Sequence, residues 1–254
     1  MTVSWTAAAF LACLAGGCAF VRSAAAPINA QYVMRSSEPG DCLLVMLPGI
    51  GDARDAFESA GIVEEWIQWH GACDLLLLDA HFTYYREGNL AERMRDDVLR
   101  PASARGYTTV WLVGFSIGGY GALWTARENT REVDGIVLVA PMIGVPPRSD
   151  EAAAEVRDAG GLNAWASGEL GDPAHHFREP RTHWAWLAEV VRDPDEPPVI
   201  VLAFGTEDGA ADTIEVLAEA LPTRRVVRRP GGHDWETWRA LFAEILRLAP
   251  WLES

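Results

Sequence analysis

The stretch Gly114-Phe115-Ser116-Ile117-Gly118 has the pattern G-x-S-x-G and decides the fold of this chain. An apolar run at 109–113 precedes it, and a run of helix-like composition at 119–124 follows it. A strand, this turn and a helix in that order form a nucleophile elbow, where a serine occupies a strained turn. The glycines leave room for the turn, and the helix N-terminus directs N–H groups toward the reacting oxygen. The pattern therefore predicts Ser116 as a nucleophile.

The apolar runs predict a doubly wound α/β sheet. Five near-continuous runs, and a shorter run at 225–227, alternate with segments of helical spacing. The five longer runs are 43–47, 75–79, 109–113, 135–140 and 198–204. Such runs are typical of parallel strands buried on both faces, and their alternation with helices predicts right-handed crossovers. Before residue 40 only residues 31–34 resemble a strand, so we expect a mostly parallel sheet of six or seven strands.

His233 is the candidate general base for Ser116, because a serine hydroxyl is a weak nucleophile unless a base is positioned beside it. It follows two glycines in a loop directly after the last short strand. Such a loop can bring an imidazole over a distant serine. His81 is the rival, since it also follows a predicted strand and so lies at the carboxyl edge of the sheet.

Asp208 is the candidate acid that orients the imidazole, and it follows the run at 198–204. Glu207 and Asp212 are close competitors, and capping of the helix near residue 212 is the alternative role for each of these acids. Ser116, Asp208 and His233 follow one another in the order nucleophile, acid, base. Because each follows a strand run, all three are expected at the carboxyl edge of one parallel sheet.

Backbone N–H groups are expected to form the oxyanion hole. One donor is the N–H of Ile117, the residue after the nucleophile. The other is expected in the loop at 47–52, where we favour the N–H of Ile50, with Gly49 and Gly51 as alternatives. Glycines in this loop let the backbone approach a substrate oxygen closely.

Three motifs together resemble the α/β-hydrolase family, in its compact esterase- or thioesterase-like branch. They are LPGIGD at 47–52, GFSIGG at 114–119 and GGHDW at 231–235. The resemblance covers roughly residues 40–250. It implies an acyl-enzyme mechanism that uses Ser116, His233 and Asp208 and needs no metal or organic cofactor.

The resemblance implies a serine hydrolase that cleaves small-molecule carboxylic esters or thioesters. An acyltransferase would use the same three residues with an alcohol in place of water, and a non-catalytic binding module with this fold is a further alternative. With 36 acidic and 21 basic residues the net charge is −15, which argues against nucleic acid or an anionic lipid surface as a partner.

A long insertion at about 142–197 interrupts the alternation of strands and helices within the hydrolase domain, predicted over 27–254. We interpret it as a small helical cap over the site; helical packing at the edge of the sheet is the alternative. It contains three tryptophans and three of the six histidines. His175 and His176 lack the spaced partners of a metal site, and no metal is expected.

Residues 1–26 resemble an export leader, because residues 7–21 carry no charge. Cys18 matches the lipidated position of a bacterial lipobox with one extra residue, whereas Ala24-Ala25-Ala26 matches a plain cleavage site. We therefore expect export to the bacterial periplasm, or a membrane-anchored lipoprotein with its lipid on Cys18. An apolar N-terminal segment that is not cleaved is the alternative.

Cys42 and Cys73 each lie just before or at the start of a strand-like run. If these strands are parallel neighbours, both cysteines lie at the same edge of the sheet and a disulfide is possible. Two buried free thiols are the alternative.

Overall fold

A computed structural model describes residues 22–144, 148–167 and 180–252. Within these ranges seven strands form one sheet. The strands are β1 (Ala30–Val33), β2 (Cys42–Leu47), β3 (Asp74–Leu78), β4 (Thr109–Phe115), β5 (Gly135–Val139), β6 (Val199–Gly205) and β7 (Val226–Arg229). Cys18 and most of the predicted leader, as well as His175 and His176, lie outside the described residues.

The strand order is β1-β3-β2-β4-β5-β6-β7. Strand β1 pairs antiparallel with β3, and every other pair in the sheet is parallel. The prediction of a mostly parallel sheet of six or seven strands is confirmed, and the additional strand lies where residues 31–34 indicated it. The carboxyl ends of β2, β4, β5 and β6 therefore lie along one edge. The loops that carry the candidate site residues leave the sheet at this edge.

Helices cover both faces of the sheet. They are α1 (Ala56–Ser59), α2 (Ile62–Trp69), α3 (Phe82–Glu87), α4 (Leu90–Met94), α5 (Arg100–Arg105), α6 (Ile117–Glu128), α7 (Arg148–Asp158), α8 (Leu162–Ala166), α9 (Pro180–Val190), α10 (Ala211–Ala218) and α11 (Trp235–Leu248). A π-helical turn, Arg95–Leu99, joins α4 to α5. No helix among the described residues is both long and apolar enough to cross a lipid bilayer.

Strand β2 shows why the sheet is apolar on both faces. Leu43, Val45 and Leu47 belong to one apolar cluster, whereas Leu44 and Met46 belong to a second cluster. Alternate residues of a strand point to opposite faces, so a strand covered on both sides, such as β2, is apolar at nearly every position. Helices α4, α6 and α10 contribute to the first cluster, and α2 and α11 contribute to the second.

The insertion at about 142–197 contributes three helices, α7, α8 and α9, to the described structure. Trp184 of α9 is fully buried, and Trp165 of α8 is nearly so. Both belong to the apolar cluster that also contains residues of α6. The described helices of the insertion thus pack as part of the core on this face, and a cap over the site stays a prediction.

Cys42 and Cys73 form a disulfide, with a Cα–Cα distance of 4.4 Å. Cys42 begins β2 and Cys73 directly precedes β3, its parallel neighbour. Parallel pairing places both cysteines at the amino edge of the sheet, opposite the edge that carries Ser116. The disulfide therefore closes the chain around α1 and α2 without touching the candidate site.

Residues 22–26 dock on the segment that follows β3. The Arg22 guanidinium pairs with the carboxylate of Asp79, a residue that is only 4% exposed. The Thr83 hydroxyl donates to the Arg22 carbonyl, and the Tyr84 hydroxyl donates to the Ala25 carbonyl, each at 2.7 Å. This short segment thus supplies partners to three side chains that are almost fully buried.

We predict that a chain lacking residues 1–26 is less stable than one lacking residues 1–21. Only the longer deletion removes the partners of Asp79, Thr83 and Tyr84, and each buried polar group left without a partner costs about 1–3 kcal/mol. Equilibrium urea unfolding of the two purified chains measures the difference in the free energy of unfolding. Equal midpoints with equal slopes would show that the docked segment contributes nothing.

Candidate active site

Ser116 lies between the end of β4 and the start of α6, with φ 53° and ψ −116°. A non-glycine residue with positive φ is strained, and such strain persists only where the surroundings enforce it. A Cβ on Gly114 would lie 2.2 Å from the Gly118 carbonyl oxygen, and one on Gly118 would lie 2.2 Å from the Leu47 carbonyl oxygen. Both positions therefore require glycine, because the backbone itself fills the space.

Backbone hydrogen bonds hold the strained residue in place. The Ser116 N–H donates to the Val139 carbonyl at 3.0 Å, and the Ser116 carbonyl accepts from the Met142 N–H at 2.9 Å. Both partners belong to β5 or to the loop that follows it. The elbow is thus fixed to the neighbouring strand and not only to its own helix.

His233 lies beside Ser116 across 117 positions of sequence. Its Nε2 atom is 2.9 Å from the Ser116 Oγ atom, and its Nδ1 atom is 2.7 Å from Oδ2 of Asp208. The loop between β7 and α11 carries the imidazole, and the turn after β6 carries the carboxylate. With Nδ1 protonated toward Asp208, Nε2 is free to accept the hydroxyl proton of Ser116.

The two carboxylate oxygens of Asp208 have different partners: one contacts the imidazole, and the other accepts a hydrogen bond from the backbone of the turn that carries Asp208. Its Oδ1 atom accepts from the Ala210 N–H at 2.9 Å, while Oδ2 faces His233. The Asp208 side chain is only 1% exposed, whereas Glu207 and Asp212 are exposed. Of these three acids, Asp208 is the one whose carboxylate contacts the imidazole.

His81 lies elsewhere at the same edge of the sheet. Its ring packs on Tyr84 with the centroids 4.8 Å apart, near the Arg22–Asp79 pair. Burial lowers the pKa of the His81 imidazole, and the positive charge of Arg22 acts in the same direction. Among the described residues no hydrogen bond joins His81 to Ser116.

The predicted oxyanion donors lie in the loop after β2 and at the first turn of α6. Ile117 is the first residue of α6, where a backbone N–H has no partner within the helix. Ile50 lies in the turn closed by the hydrogen bond from the Asp52 N–H to the Gly49 carbonyl, at 3.2 Å. Outside the helices and strands, no described backbone carbonyl accepts a hydrogen bond from the N–H of Ile50.

Asp52 ends the loop that follows β2 and lies near Trp235 at the start of α11. Burial raises the pKa of the Asp52 carboxyl, and the Trp235 indole partly offsets this effect. Sequence reasoning missed this contact, because nothing in the spacing of residues 52 and 235 indicates that they meet.

Within the described residues no group of three or more histidine, cysteine or acidic side chains lies close enough to hold a metal ion.

A known protein family matches a stretch of the chain that covers most of its C-terminal half and extends toward the N-terminus. A family model described as "Putative esterase" matches residues 100–249, which is more than half of the 254 residues. The chain therefore belongs to this esterase family. No curated protein matches the sequence significantly.

Solved structures of hydrolases share the fold. S-formylglutathione hydrolase from Staphylococcus aureus aligns with a TM-score of 0.57 and 14% identity, over 89% of this chain and 90% of that chain. Est1E from Butyrivibrio proteoclasticus, solved with ferulic acid bound, aligns with a TM-score of 0.55 and 16% identity, over 87% of this chain and 92% of that chain. Monoacylglycerol lipase from Paleococcus ferrophilus aligns with a TM-score of 0.52 and 14% identity, over 87% of this chain and 99% of that chain. The fold is thus the α/β-hydrolase fold, and the family to which the chain belongs makes it an ester hydrolase.

We predict that Asp52→Asn stabilises the chain at neutral pH. Because its folded-state pKa is raised, the charged carboxylate costs stability at neutral pH, and this cost disappears below the unfolded value of about 4. Asparagine removes the charge and keeps an oxygen that can accept from Trp235. Thermal unfolding should therefore show a higher midpoint for the variant at neutral pH and no difference at acidic pH.

Asp41→Asn is the matched control, since Asp41 is exposed and precedes β2 at the opposite edge of the sheet. It should show no comparable dependence on pH. A midpoint for Asp52→Asn that falls at neutral pH would mean that the charge itself is required.

Proposed function

We propose that this ester hydrolase is a serine hydrolase in which Ser116, His233 and Asp208 form a catalytic triad. The observation that supports it is the continuous pair of short contacts, 2.9 Å from Ser116 Oγ to Nε2 and 2.7 Å from Nδ1 to Asp208. Ester hydrolysis on this fold needs an activated nucleophile, and no other described serine has this setting.

In the first half-reaction the Ser116 oxygen attacks the ester carbonyl carbon, and His233 takes the hydroxyl proton. Asp208 stabilises the imidazolium that forms and keeps the ring oriented. The N–H groups of Ile117 and Ile50 bind the oxyanion, and removal of one such donor typically costs about 3–4 kcal/mol. The C–O bond then breaks, the alcohol leaves with the proton from His233, and the acyl group stays on Ser116.

In the second half-reaction water replaces the alcohol. His233 removes a proton from the water as it attacks the acyl carbon, and returns the proton to the Ser116 oxygen as the carboxylic acid leaves. The His233 side chain is 39% exposed, so solvent reaches the imidazole directly. This access favours hydrolysis over acyl transfer, in which an alcohol would have to replace abundant water.

A fluorophosphonate probe tests the triad. The wild-type chain should be labelled once, and Ser116→Ala should not be labelled. His233→Ala and Asp208→Asn should each lower kcat by about 10⁴-fold or more, since triad members act as a unit. Glu207→Gln is the matched control for Asp208, because it alters the adjacent exposed acid.

Two outcomes would contradict the proposal. A folded wild-type chain that resists labelling favours the non-catalytic alternative. Undiminished turnover in His233→Ala would remove the imidazole from the mechanism.

The expected substrate is a small-molecule carboxylic ester, and a thioester is the alternative. The names of two structural relatives and the ferulic acid bound to a third suggest a panel of substrates: S-formylglutathione, a monoacylglycerol and an ester of ferulic acid. Measuring kcat/KM for this panel, together with p-nitrophenyl esters of increasing chain length, defines the acyl group that the site accepts. Adding an alcohol acceptor and measuring ester products separates hydrolysis from acyl transfer.

We propose that the protein is exported and held at the membrane by a lipid on Cys18. The Cys42–Cys73 disulfide favours an oxidising compartment such as the bacterial periplasm. The docking of residues 22–26 favours processing before Arg22, because cleavage after Ala26 would leave the buried Asp79 without its cation. Of the two processing sites in the leader, Cys18 is therefore preferred.

We predict that the mature chain made in a bacterial host begins at Cys18 and partitions with the membrane. Mass spectrometry of the N-terminal peptide identifies the first residue and its lipid. Cys18→Ala should abolish the lipid and leave hydrolysis of a soluble ester unchanged. A mature chain that begins at Pro27 would contradict the prediction.

A further inference from the structure

An aromatic cluster lies beneath the triad. Its members are Phe57, Phe115, Trp235, Trp238 and Phe242. Trp235 and Trp238 lie with their ring centroids 4.9 Å apart, and Phe115 directly precedes the nucleophile. Anchoring α11 to the sheet would account for the cluster as a whole, but it does not account for the position of Trp238.

Trp238 contacts parts of the site that come from different regions of the chain. Its ring meets the His233 imidazole edge to face, with the centroids 4.9 Å apart and the planes at 88°. Its Cη2 and Cζ3 atoms lie 3.6 Å from the point that a Cβ on Gly49 would occupy, so the indole packs on the oxyanion loop. It also packs against Phe115, at 6.1 Å between centroids.

Hydrogen bonds at the start of α11 and burial of the indole fix the position of Trp238. The Asp234 carboxylate accepts from the Thr237 N–H at 2.9 Å, and the Asp234 carbonyl accepts from the Trp238 N–H at 3.0 Å. These bonds fix the first turn of α11, which begins two residues after the base. Trp238 is 5% exposed, so its indole has little freedom to move.

The indole N–H of Trp238 is buried without a described hydrogen-bond partner. A buried donor without a partner costs free energy, which a phenylalanine or leucine at this position would avoid. Trp111 and Trp184 also bury an indole N–H without a described partner, so this feature alone does not single out position 238. The reach of the side chain does, since the second ring contacts the position of Gly49 while the indole also faces His233.

We propose that Trp238 is a positioning residue that sets the separation between the His233 imidazole and the oxyanion loop. The inference rests on the proposed triad, because it assigns a role through His233 and the loop at 47–52. General-base and oxyanion groups act only when both are placed correctly about the same carbonyl carbon. A misplacement of about 1 Å lowers the rate about 100-fold.

The expected signature is a loss of kcat at nearly constant KM. Trp238 supports the reacting groups, so its removal weakens transition-state stabilisation more than binding of the ester. Trp238→Leu loses both contacts and should lower kcat about 100-fold. Trp238→Phe keeps a ring beside His233 and should retain more activity than the leucine variant.

Trp251→Phe is the matched control. Trp251 and Trp238 lie on the same face of the sheet, in the second apolar cluster. Trp251 packs against Trp69 and Trp111, away from the triad. It should keep the wild-type kcat. Steady-state kinetics are combined with near-ultraviolet circular dichroism, which shows that each variant is folded.

The downfield proton resonance of His233 Nδ1–H in the Asp208 hydrogen bond gives a second readout that does not depend on turnover. It should shift or broaden in Trp238→Leu and stay unchanged in Trp251→Phe. A folded Trp238→Leu with wild-type kcat and an unchanged resonance would overturn the inference. Failure of the triad itself is recognised separately, as a wild-type chain that the fluorophosphonate does not label.

Discussion

The backbone at Ser116 is the constraint on which the site depends. Its φ of 53° places the hydroxyl against His233 at the carboxyl edge of the sheet, and such a conformation costs on the order of 1–3 kcal/mol. The close approach of Gly114 and Gly118 to neighbouring backbone, including the carbonyl of Leu47, makes the turn possible. The same approach joins the elbow to the strand whose loop carries the proposed oxyanion donor Ile50.

Parallel strands bring the remaining groups to this hydroxyl. Strands β4, β6 and β7 all end at this edge, with only β5 between β4 and β6, so short loops suffice to bring Asp208 and His233 to Ser116. The acid is buried and the base is partly open to solvent. A buried acid keeps a fixed hydrogen bond, whereas a base that meets water can complete both halves of an ester hydrolysis.

The sheet was predictable from sequence because strands buried on both faces must be apolar at nearly every position. The placement of Ser116, Asp208 and His233 at one edge was predictable because each follows a strand of the sheet, although the last strand, β7, is short and only partly buried. The contact of Trp238 with Gly49 was not, since it depends on how α11 packs against a distant loop. The docking of Arg22 on Asp79 and the Cys42–Cys73 disulfide likewise depend on strand register, which spacing alone left open.

The central claim is that the acyl group of the substrate passes through Ser116. Acid quenching during the first turnovers with a p-nitrophenyl ester, followed by peptide mass spectrometry, tests this most directly. The account predicts a burst of p-nitrophenol and the mass of the acyl group on the peptide that contains Ser116. Turnover with the acyl group on a different residue would contradict it.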